Sequence, residues 1–116
     1  MKAGIDPEVL RRIIGDDPEM AREVVEDFVP AAQSAVIEIR AAVNDVDPDQ
    51  VKNASHKLKG SASVVGAHRL VEICAELETA GENCDWPTIH RLSAELHGLM
   101  GDIETSAAAF LASMED

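Results

Sequence analysis

Tyrosine is missing from this 116-residue chain, and aromatics make up only 3% of it. Packing therefore falls to Ala, Leu, Val and Ile, which suits helices lying close on helices. Basic residues are scarce too: 10 Lys and Arg stand against 22 Asp and Glu, a net charge of −12. A body with that field is repelled by phosphate backbones and anionic lipid, so nucleic acid and membrane surfaces are excluded as partners. No apolar run approaches the roughly 18 residues a membrane span needs. The opening MKAGIDPEVL lacks the apolar stretch of a secretion signal. The expectation is a soluble, cytoplasmic, monomeric protein, and the initiating Met1 suggests a free-standing one. Only two cysteines occur, Cys74 and Cys84, too few for a disulfide framework. No CxxC or HExxH spacing appears, so no metal site is expected. Neither GxxxxGK[ST] nor GxGxxG occurs, so the chain has no loop for a nucleotide's phosphates.

What is present is helix grammar. With 46% hydrophobic and 28% charged residues, one core is within reach, and residues 1–116 are expected to form a single domain. Asp6-Pro7-Glu8 opens a short helix that stops at Gly15. Asp17-Pro18-Glu19 opens a long one, with Val25, Phe28, Val29, Ala32, Val36, Ile39 and Val43 on one stripe and Pro30 expected to kink it. A third helix starts near Pro48, carries Val51, Ala54, Ser55, Leu58, Ala62 and Val65, and ends at Gly66. A fourth runs from about Ala67 to Ala80, with Leu70, Ile73, Cys74 and Leu77 apolar and Gly81 as its stop. A fifth follows Asp85-Trp86-Pro87 and reaches Ser113. Strand-like alternation is absent. The pattern predicts an all-α protein, an antiparallel up-down four-helix bundle with a short additional N-terminal helix.

Chemistry concentrates in the third helix. On a wheel of about 100° per residue centred on Leu58, the apolar residues fall within about 60°, whereas His56 lies about 160° away, in solvent. Lys59 follows it by one turn and Lys52 precedes it by one turn, placing two cations beside the ring. Gly60, four residues after His56, sits mid-helix, where glycine costs roughly 1 kcal/mol against Ala. The missing side chain clears space beside the imidazole. A neutral imidazole is a nucleophile near neutral pH. Flanking ammonium groups disfavour the imidazolium and would stabilise an attached phosphoryl group. The arrangement reads as a histidine that takes and gives a phosphoryl group. Lys57 is expected to rim the site. Arg69, opening the next helix, and Ser63, on the same outer face, are further candidates. His68, His90 and His97 read as structural or solvated, Cys74 as core and Cys84 as a free loop thiol.

The run His56-Lys57-Leu58-Lys59-Gly60-Ser61-Ala62, followed by Val65-Gly66-Ala67 and Leu70, resembles histidine-containing phosphotransfer (HPt) domains. The likeness extends from Asp6 to Glu78, and the last helix matches only as a generic amphipathic helix. This resemblance implies a four-helix bundle whose exposed His56 is phosphorylated and relays the group between receiver-domain aspartates, or from a hybrid histidine kinase. Lys59 and Gly60 match the family's Lys and Gly at the same offsets. A phosphocarrier rather than an enzyme is then expected, with no cofactor of its own and Mg²⁺ supplied by the partner's receiver domain. The alternative is a helical interaction module that binds a kinase or receiver without being phosphorylated.

Overall fold

The computed structural model describes residues 4–114. All regular structure among them is helical: α1 (Pro7–Ile14), α2 (Pro18–Asn44), α3 (Pro48–Val64), α4 (His68–Glu82) and α5 (Trp86–Ser113). Four of the five starts are set by aspartates. Asp6, Asp17, Asp47 and Asp85 each accept a hydrogen bond from a backbone N–H of the turn that follows. They satisfy donors that the helix cannot. A proline in the first turn loses nothing there, since its missing N–H would have had no helical acceptor.

The apolar stripes meet in one core. Val25, Ile39, Val51, Leu70, Leu77, Leu92, Leu96 and Ile103 are wholly excluded from solvent. Helices α2, α3, α4 and α5 pack in a ring, each against its chain neighbour and α5 back against α2. The α3–α4 pair is the most extensive of these contacts. Lys52 meets Glu82 and His56 meets Glu78, so α3 and α4 run in opposite directions. Helix α2 continues through Pro30 without interruption. Pro30 and Glu26 are both exposed, so the hydrogen bond that Pro30 cannot donate is missing on the outer face of the helix.

Helix α1 is tied to the α3–α4 turn. Asp6 donates its backbone N–H to the Val65 carbonyl at 2.8 Å, and its carboxylate lies 3.4 Å from His68 Nε2. Gly66 makes this possible. Its φ is +67°, and a Cβ there would lie 2.7 Å from that of Asp6 and 2.8 Å from that of Val9.

One helix end differs from the sequence reading. Helix α4 does not stop at Gly81 but continues to Glu82. The left-handed residue that turns the chain is Cys84, with φ 52°. The bond closing the turn runs from the Asp85 N–H to the Ala80 carbonyl, at 2.9 Å. Gly81 faces α3 instead, and its role there is taken up below. The α2–α3 turn is built alike around Val46, with φ 54° and the Asp47 N–H bonded to the Ala42 carbonyl at 2.9 Å.

Candidate functional site

Helix α3 is locked in rotation by Val51, Ala54, Leu58 and Ala62, each no more than 2% exposed. That fixes His56 on the outer surface, where its side chain is 72% exposed. The ring is nevertheless held. Its Nδ1 lies 3.2 Å from Glu78 Oε2, a carboxylate presented by α4. The other oxygen of Glu78 pairs with Lys59 Nζ at 2.6 Å. Glu78 thus joins the imidazole and the lysine one turn below it into a single group. The side chain of Glu78 is only 18% exposed, so the clamp is firmer than an open surface pair.

This contact sets the ring's chemistry. A carboxylate only accepts hydrogen bonds, so Nδ1 is the donor and carries a proton. In the neutral ring Nε2 then bears the free lone pair, on the edge away from Glu78. Burial alone would raise the Glu78 carboxyl. The hydrogen bonds and charges of Lys59 and His56 outweigh it and hold the carboxyl below its ordinary range.

The lysines expected to flank the ring as free cations are not free. Lys59 is paired with Glu78, and Lys52 with Glu82 at 2.9 Å. The hydrogen bond and charge of Glu82 raise the Lys52 ammonium above its usual value. The charge nearest the imidazole is therefore a carboxylate and not an ammonium. Lys57 lies on the other flank, exposed beside the groove between α2 and α3, with no ion-pair partner among the described residues. Gly60 is exposed, and a Cβ placed on it would meet nothing within 4 Å.

Two candidates are engaged elsewhere. Ser63 donates its hydroxyl to the Lys59 carbonyl at 2.9 Å, so its proton is spent on its own helix. Arg69 is nine residues from Glu78, half a turn out of phase on α4. It reaches the far side, to Glu95 of α5 at 2.6 Å, with Glu72 at 3.8 Å. It joins α4 to α5 and is not brought to His56.

The remaining histidines are dispersed. His68 meets Asp6, His90 lies 6.2 Å from the Trp86 ring, and His97 borders a groove between α2 and α5. No cluster of three metal-ligating side chains occurs among the described residues. Cys74 is buried, and burial, with the charge of Glu78, pushes its thiol up to about 12. Cys84 is exposed.

The residue that sequence reasoning missed is Glu78. One trace of it is visible: an acid directly after Leu77 and one turn after Cys74 sits at the edge of an apolar stripe. From there it can reach a neighbouring helix. Which residue it would reach depends on the register between α3 and α4, which no single-helix wheel contains.

Comparison with known proteins gives one family. A family model described as Hpt domain matches residues 23–105. The match starts inside α2 and ends inside α5, so it leaves out α1 and takes in most of the last helix, which the sequence likeness had placed outside. No curated protein and no solved structure matches. No helix among the described residues is long and apolar enough to cross a membrane.

Proposed function

Since the chain belongs to the Hpt domain family, whose members are phosphocarriers in two-component signalling, we propose that it relays a phosphoryl group through His56 in a multistep phosphorelay. The helices form an antiparallel up-down bundle for this purpose, with α3 as the platform. The observation that carries the reading is an imidazole 72% exposed yet held at Nδ1 by a carboxylate 3.2 Å away.

The step balances without outside reagents beyond the partner. The Nε2 lone pair attacks the phosphorus of an acyl phosphate on a receiver aspartate. A P–N bond forms, the P–O bond breaks, and the aspartate leaves as carboxylate. Nδ1 keeps its proton, so the positive charge the ring gains faces Glu78. Donation to another receiver is the reverse. Lys59 lies within one turn to offset phosphoryl charge, while Mg²⁺ belongs to the receiver. The same nitrogen serves a hybrid kinase as donor. The protein supplies a nucleophile and its orientation, has no cofactor of its own, and is no enzyme by itself.

Docking is favoured over the α2 side of His56. The α4 side is occupied by the Glu78 and Glu82 ion pairs. Gly60 is bare beside the ring, and on the α2 side Ser61, Ser34 and Ala31 are short, with Glu38 the carboxylate of that groove. Lys57, the one lysine of α3 without a carboxylate partner among the described residues, can meet an acidic group of the partner there.

The test uses a phosphorylated receiver, or an active hybrid kinase with ATP and Mg²⁺. The wild-type protein is expected to acquire acid-labile, base-stable label, and His56→Gln none. Equal label in both would move the phosphoryl group off His56, and none in either with several partners would replace the carrier with a non-phosphorylated interaction module.

A further inference from the structure

Gly81 lies in the last turn of α4 and its φ is not positive, so the chain reversal does not require it. Space does. A Cβ on Gly81 would lie 2.9 Å from the Pro48 carbonyl oxygen, 3.2 Å from the Lys52 amide nitrogen and 3.3 Å from the Lys52 Cβ. The first two atoms are backbone of α3's first turn and cannot swing aside. Here α4 rests on bare helix backbone, which only glycine permits.

This contact sits beside the candidate site. Gly81 follows Glu78 by three residues, and Lys52 precedes His56 by four, so each lies about one turn from the pairing. The distance between the helix axes at Gly81 therefore governs how far the Glu78 carboxylate stands from the ring. At 3.2 Å, His56 Nδ1 and Glu78 Oε2 are already at the long end for an N–H···O bond. A further few tenths of an ångström would loosen it.

We propose that Gly81 is a positioning residue for His56: its missing side chain lets α4 approach α3 closely enough for Glu78 to hold the proton on Nδ1 and leave Nε2 as the nucleophile. The inference rests on the carrier reading only where transfer is measured.

Long-range ¹H–¹⁵N NMR of the His56 ring, in mildly alkaline buffer, reports which nitrogen carries the proton. Wild type is expected to show protonated Nδ1. Gly81→Ala is expected to show the two tautomers in exchange, with transfer from a phosphorylated receiver slowed roughly tenfold. Gly98→Ala, at an open position on α5, serves as the control and should leave both unchanged. In a double-mutant cycle, Gly81→Ala added to Glu78→Gln should slow transfer no further, because the contact it loosens is already weakened. A wild-type ring signature in folded Gly81→Ala, or additive effects in the cycle, would overturn the proposal. If Gly81→Ala fails to fold, Glu78→Asp decides. It withdraws the carboxylate by one methylene with the backbone untouched, and an unchanged ring signature there would equally overturn it. Absence of label on wild-type His56 would refute the carrier reading instead, and the tautomer measurement would still decide the role of Gly81.

Discussion

Gly60→Ala should make the protein more stable and a worse phosphoryl carrier. A Cβ at this position meets nothing within 4 Å, and the backbone is helical, so alanine is accepted without strain. Replacing an exposed helix-interior glycine by alanine stabilises by roughly 1 kcal/mol. For a domain of this size that raises Tm by about 3–6 °C. The cost falls on the partner. The new methyl projects one turn from His56, on the surface a receiver must cover. Overpacking a fitted contact by one methyl costs about 1–3 kcal/mol, a fall in transfer rate of roughly 5- to 150-fold. Gly98 and Gly101 on α5 are equally open and exposed. Alanine at either should give the same gain in Tm with transfer unchanged. Thermal unfolding by circular dichroism and label transfer from a phosphorylated receiver measure the two halves separately. A lower Tm for Gly60→Ala would refute the reading of its surroundings. Unchanged transfer would refute the claim that its bareness serves docking.

Val46 is a β-branched, 65% exposed residue in the left-handed region, where glycine is at ease. Val46→Gly should therefore stabilise, by about 1 kcal/mol in chemical denaturation; a loss would show that the turn is held by something other than backbone geometry. The Glu78 carboxyl is held below its ordinary value of 4.5, so the folded state binds that proton less tightly than the unfolded chain. Its stabilising effect is present above that value and is lost as pH falls through the lowered one. The stability advantage of wild type over Glu78→Gln should thus hold at neutral pH and shrink as pH falls below 4.5, whereas a constant difference would remove the ion pair from the account.

Most of the fold is legible in local sequence because its determinants are local. An aspartate before Pro7, Pro18 and Pro48 caps a helix whatever surrounds it. The stripe through Val51, Leu58 and Ala62 settles that His56 points outward. What the sequence hides is relational. Arg69 faces α5 and Glu78 faces α3 because of the phase of α4 against two neighbours. Gly81 resembles a helix stop until α3 is seen lying across it. The lysines beside His56 look like a free basic patch until α4 supplies Glu78 and Glu82 opposite them. Each of these depends on inter-helix register, which is fixed by packing of the whole core and carries no signal within one helix.

The central claim is that Nε2 of His56 is the atom that carries the phosphoryl group. After transfer from a phosphorylated receiver, ³¹P NMR combined with long-range ¹H–¹⁵N correlation of the His56 ring locates the new bond. The account predicts phosphorus on Nε2 with the proton retained on Nδ1. Phosphorus on Nδ1, or on any residue other than His56, would contradict it.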